Sequence, residues 1–160
     1  MNKLASVLGS TYSAKRKEIL IKSFELSGHT FKVKIPLVSE SDAIYKRITE
    51  PEQDRIKELF NTMTESLLQY KDKEDSGMEF TEEDIQVGGH SMMEAARNKV
   101  MTEQRILEYV KLLVPEDAET NLDHITYADI EAEWPLSVQL ALAEKIGEVI
   151  SPTYKEARGK

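Results

Sequence analysis

The 160-residue sequence contains no cysteine and a single tryptophan. Nowhere does it approach the ~18 consecutive apolar residues of a membrane span. Without cysteine there can be no disulfide, no thiolate zinc site and no cysteine nucleophile, and the usage fits a reducing compartment. Histidines are few, and His29, His90 and His124 are scattered, none with a second ligand-type residue at helical spacing. That excludes the usual zinc signatures, so no metal is expected. Residues 1–9 lack the sustained apolar core of a signal peptide. Gly88-Gly89-His90-Ser91 lacks the Lys-Ser/Thr of a phosphate loop and the third glycine of a dinucleotide fingerprint, which leaves no cofactor motif. Asp117, Glu119 and Asp123 have no glycine at the sharp turn of a calcium loop. Carboxylates are plentiful, but none is flanked by an apolar run that would raise its pKa. The expectation is a protein that is not an enzyme and needs no cofactor.

Charge is abundant and unevenly spread. Charged residues make up 31% of the chain and hydrophobic residues 40%, with a net charge of −8. Residues 1–35 carry seven Lys/Arg against Glu18 and Glu25, whereas residues 115–134 hold seven acids and no Lys or Arg. Such an acidic field repels phosphate backbones, so nucleic acid is not an expected partner, and neither is a membrane. The length suits one domain with a real hydrophobic core.

The patterning predicts a mainly α fold: a helical domain with a short N-terminal β-hairpin. Residues 1–17 read as a flexible leader, 18–150 as a single domain with the hairpin at 18–36, and 151–160 as a flexible tail. In the hairpin Leu20, Phe24 and Leu26 alternate on one face, with Lys22 interrupting. Ser27-Gly28-His29 turns the chain, and Phe31, Val33 and Ile35 alternate up to Pro36. Helical signals follow. Ser39-Glu40-Ser41-Asp42 resembles a capping box, and Thr49-Glu50-Pro51-Glu52 opens a helix through Ile56, Leu59, Phe60, Met63 and Leu67. Residues 80–87 fit either a helical turn or a short strand. Ser91 opens a long helix to about Val114 with Met93, Ala96, Val100, Ile106, Leu107, Val110 and Leu113 as its stripe. The step from Val100 to Ile106 is irregular and allows a break near Thr102. Thr126-Tyr127-Ala128-Asp129 is a second capping box, and Leu136 to Ile150 forms the last amphipathic helix. Trp134 is expected to anchor it.

Two segments carry a resemblance. Phe24-Glu25-Leu26-Ser27-Gly28-His29-Thr30-Phe31-Lys32-Val33-Lys34-Ile35-Pro36-Leu37-Val38-Ser39-Glu40 resembles the start of phage tail assembly chaperones: a short extended stretch, a proline, then an acidic helix start. Ile130-Glu131-Ala132-Glu133-Trp134-Pro135-Leu136-Ser137-Val138-Gln139-Leu140 resembles the proline-initiated amphipathic helix of that family's C-terminal part. The resemblance covers about half of the chain. It implies a protein made in the host cell's cytoplasm and absent from the mature virion. Such a protein coats the tape measure protein and helps recruit tail tube protein subunits. It also implies that a translational frameshift near the chain end can make a longer form, a junction the basic tail would suit.

The family has no catalytic motif to carry over. Partner-binding positions are therefore expected from the amphipathic stripes: Met93, Val100, Leu107 and Val110 on the long helix, then Leu142 and Ile146 on the last. One core cannot easily bury both halves of the long helix on one face, which leaves one half for a client. Self-association into a homo-oligomer through the hairpin or the apolar helix faces is also expected. The competing classes are a small acidic regulatory or adaptor protein and a structural tail-completion subunit.

Overall fold

A computed structural model describes residues 3–73, 76–117 and 119–151. It is mainly helical, with two small antiparallel sheets. The chain divides into two compact units. Unit 1 comprises residues 1–42 and 106–160, and unit 2 comprises residues 43–105. The expected tail at 151–160 lies, apart from Ser151, outside the described residues.

Unit 1 begins with two short helices, α1 (Lys3–Leu8) and α2 (Ser10–Ile19), where the sequence suggests a poorly ordered or loosely helical leader. Gly9, at φ 94°, turns the chain between them in a region that L side chains rarely adopt. The hairpin follows as β1 (Ile21–Leu26) and β2 (His29–Lys34). Its turn is two residues, Ser27 and Gly28, with φ of 53° and 81°. Two consecutive positive φ values match the right-handed twist of the flanking strands. Phe24 faces Phe31 across the ladder, and their rings stack with centroids 5.4 Å apart. Val33, opposite Lys22, is completely buried.

The second part of unit 1 closes over this hairpin. Residues predicted to continue the long helix to Val114 instead leave it and bridge β2, with Leu113 opposite Val33. Lys34 N–H donates to Leu112 C=O at 2.9 Å, and Val114 N–H donates to Lys32 C=O at 2.8 Å. Pro115 has no N–H to extend this pairing. The helix α6 (Tyr127–Glu133) starts at the expected capping box: Asp129 N–H donates to the Thr126 hydroxyl, and the Asp129 carboxylate accepts from Thr126 N–H. The helix α7 (Leu136–Ile150) buries Gln139, Leu142, Ala143 and Ile146. Ile106, Val110, Ile130 and Ala143 form a core cluster, and Trp134 packs against it.

Unit 2 is built around a helix pair and a small sheet. α3 (Val38–Thr49) enters it from unit 1 and buries Ile44 and Ile48. Its start is capped from Glu40, whose carboxylate accepts from Leu37 N–H at 3.0 Å, two residues earlier than the box at Ser39 to Asp42 suggests. α4 (Gln53–Thr64) tightens into a 3-10 turn over Glu65–Tyr70. Strands β3 (Met78–Phe80), β4 (Ile85–Val87) and β5 (His90–Ser91) form a meander, of which only β4 lies wholly within residues 80–87, the segment that admitted either a strand or a turn. The mainly α class holds, but the N-terminal hairpin is not the only sheet. Gly88 and Gly89, at φ 57° and 83°, make the tight β4–β5 turn.

The helix α5 (Met92–Val110) is continuous and runs from unit 2 into unit 1. There is no break at Thr102, whose hydroxyl donates to Asn98 C=O within the helix. The irregular step is instead a change of buried face. At ~100° per residue, the pair Ile106 and Val110 is turned by about 80° from the pair Ala96 and Val100. Ala96 and Val100 join Ile56 and Leu59 in the core of unit 2. Arg55 spans from α4 to Glu103 on α5 at 3.2 Å, reinforcing that contact at the surface.

Candidate functional site

The six stripe positions lie largely inside the molecule. Val100, Val110, Leu142 and Ile146 are buried, and Met93 and Leu107 are half-buried against the core clusters of units 2 and 1. The structure does not bring the six together: Met93 and Val100 belong to unit 2, and the other four to unit 1.

The apolar surface is elsewhere. Most exposed large apolar side chains belong to unit 1, including Leu4, Val7 and Leu8 of α1 and Val38 at the start of α3. On α7, Leu136 and Leu140 are 57% and 45% exposed, one turn apart. They lie about 120° around the helix from the buried pair Leu142 and Ile146. α7 thus carries two apolar stripes, one in the core and one in solvent. The sequence reading followed the first and passed over the second, although its four-residue spacing was visible.

What holds α7 in place is polar. The Gln139 side chain is buried, accepts from the Tyr127 hydroxyl at 2.5 Å and donates from its amide to Trp134 C=O at 2.8 Å. Each group of this buried amide is therefore satisfied, and the Trp134 carbonyl just before the proline is fixed to the first turn of α7. Leu136 and Leu140 thus stand on a rigid element, not on a loop.

Backbone edges form a second kind of surface. β2 is covered on its outer side by residues 112–114, but β1 pairs only with β2 among the described residues. A cleft of about 830 Å³ lies beside β2, with Lys17, His29 and Lys32 among its lining and Glu116 and Asp117 also in it. Side chains here also stabilise turns: the Asp117 carboxylate accepts from Glu119 N–H, and the Asn121 side-chain carbonyl from Asp123 N–H.

The most connected polar group is Asp84 in unit 2, which sequence reasoning missed. Its carboxylate accepts from the Ser91 hydroxyl at 2.5 Å, from Ile85 N–H at 2.7 Å and from Met93 N–H at 2.9 Å. Ser91 in turn accepts from Glu94 N–H. Burial pushes the Asp84 carboxyl up, but the Ser91 hydroxyl and the N–H groups of Met93, Ile85 and Met92 outweigh it and hold the group below its ordinary value. The arrangement caps α5 and ties β4 to the helix start. A cleft of about 540 Å³ beside it is lined by Phe60, Leu68, Phe80 and Lys71 among others. Among the described residues no group of three or more His, Asp or Glu side chains converges as a metal site. No helix among them is long and apolar enough to cross a membrane. Searches against protein families, curated proteins and solved structures return no match to this chain.

Proposed function

We propose that this chain is a phage tail assembly chaperone that holds another protein without catalysing a reaction. In this reading it binds the tape measure protein in the host cytoplasm, helps recruit tail tube subunits, and is absent from the finished virion. One observation carries the reading. The C-terminal segment bearing the resemblance is the one in which Leu136 and Leu140 stand exposed, one turn apart, on a helix already anchored by its other face. Apolar anchors at such spacing suit contact with an amphipathic helical client, and a net charge of −8 keeps the holder soluble.

Co-expression with the phage's own tape measure protein tests this directly. Leu136→Asp with Leu140→Asp should leave the thermal midpoint of the isolated chain almost unchanged while abolishing capture. Capture that survives the double substitution would place the client elsewhere. The uncovered edge of β1 favours one competitor, a tail-completion subunit that exchanges strands in the particle. Such a subunit would copurify with mature virions, and a chaperone would not.

A further inference from the structure

β1 is hydrogen-bonded on one side only. The pairs Leu26 with His29, Phe24 with Phe31 and Lys22 with Val33 alternate with the wide pairs of the ladder. Around a two-residue turn the closing pair exchanges backbone bonds, so the even-numbered residues of β1 point their N–H and C=O groups at β2. Those of Ile21, Ser23 and Glu25 point the other way. No hydrogen bond reaches them from any described residue, and Ser23 and Glu25 are exposed. The same alternation on β2 directs Lys32 and Lys34 outward, where residues 112–114 do meet them. One edge of the hairpin is therefore hydrogen-bonded by the chain itself, and the other, although β1 also lies against α7, carries no backbone bond among the described residues, a template for pairing with another strand.

We propose that this open edge is a self-association site, where β1 pairs antiparallel with β1 of a second copy about a two-fold axis. The result is a four-stranded sheet of order β2-β1-β1-β2. The choice of a second copy rests on the strand's self-complementarity. Only registers that set odd-numbered residues opposite odd-numbered residues form bonds. Centring the axis on Lys22 or on Glu25 opposes like charges, which destabilises a pair. Centring it on Ser23 sets Ile21 against the Glu25 carboxylate, whose short stem cannot lift the charge clear of it, and opposes no two apolar side chains. Centring it on Phe24 places an apolar pair on the axis. Phe24 then meets Phe24 of the second copy at the close, non-hydrogen-bonded spacing of about 4.5 Å between Cα atoms, which extends the Phe24–Phe31 stack across the axis. Ser23 stands opposite Glu25 of the second copy, hydroxyl to carboxylate. Lys22 lies beside Leu26 of the second copy, its stem on the apolar side chain and its ammonium in water.

The test uses the full chain. Sedimentation should show a dimer at high micromolar concentration. Ser23→Pro removes one outward N–H and leaves the β1–β2 bonds intact, as proline is tolerated on an open edge. It should weaken the dimer on the order of tenfold or more while leaving the circular dichroism unchanged. The register is read separately by single cysteines, which are unambiguous because the chain has none of its own. Under mild oxidation Phe24→Cys should give covalent dimer faster than Ser23→Cys, and this comparison stands even if the proline variant fails to fold. A wild-type monomer at these concentrations, a dimer indifferent to Ser23→Pro with its fold intact, or faster cross-linking through Ser23→Cys would each overturn the proposal.

Discussion

Unit 2 is one continuous run of chain, whereas unit 1 is assembled from the two ends of the sequence. In unit 2 the segments that make the core, α4 and α5, are joined through a short meander. Its surface contacts are specific: a carboxylate cap at Asp84 and an ion pair from Arg55 to Glu103. Unit 1 must bring Val33 to Leu113 before its sheet gains a third segment. Closing that long a loop costs chain entropy, and contacts so distant in sequence form slowly. Unit 1 also keeps most of the apolar surface in solvent. The difference separates a locally specified scaffold from a unit that leaves apolar side chains exposed and one strand paired on one side only.

The sharpest way to break this comparison is to put a charge into each core. Val100→Asp should destabilise unit 2 and Val110→Asp unit 1, each by about 3–5 kcal/mol, because an unpaired carboxylate is then buried. Hydrogen exchange followed by mass spectrometry should show protection lost first around Ile56 and Leu59 in one case and around Ile130 and Ala143 in the other. Equal loss in both units from either substitution would mean that they do not act as separate cores.

A smaller effect is expected at Asp84. Replacing it with Ala should cost about 1 kcal/mol, the usual worth of a lost cap, read as a lower denaturation midpoint. The pH dependence has a definite sign. A carboxyl whose folded pKa lies below its unfolded value contributes stability above about pH 4, and that contribution is lost as the pH falls through the folded value. The advantage of the wild type over Asp84→Asn should therefore be flat from neutral pH to near 4 and shrink below it. An advantage that grows on acidification would show that the carboxylate is not stabilised in the fold.

The smallest effect is a gain. Gly147 is a helical glycine in α7, and an added Cβ would meet the Tyr109 ring at an ordinary 3.5 Å. Gly147→Ala should raise the stability of unit 1 by about 0.5–1 kcal/mol through helix propensity. A fall in the thermal midpoint would mean that the Tyr109 contact is tighter than it stands here.

How much of this was legible depended on the strength of the local period. The alternation of Phe24 and Leu26 with Phe31 and Val33 was enough to find the hairpin, and Thr126 with Asp129 marked the start of α6. Strands β3, β4 and β5 are two or three residues long, too short for any period to declare itself. The end of α5 was overrun because Lys111, Leu112, Leu113 and Val114 carry no helix-stop signal before Pro115. It is the edge of β2, about 80 residues earlier in the chain, that pulls them out of the helix. The candidate site was less legible still. Spacing shows which residues share a face, but not whether another part of the same chain covers that face. Val100, Val110, Leu142 and Ile146 read as partner-facing from the sequence, and in the structure all four are buried.

The continuous course of α5 makes the count of residues between its two stripes a phase setting. Each inserted residue between Val100 and Ile106 would advance the second stripe by about 100° and carry it along the axis by about 1.5 Å. Both stripes would keep their internal spacing, and each would stay with its own core, because the two stripes belong to different units. A substitution at Val100 or Val110 changes a core contact, whereas an insertion between the stripes changes only the phase of the helix that carries them. The polar turns between Pro115 and Thr126 can likewise gain or lose residues at small cost.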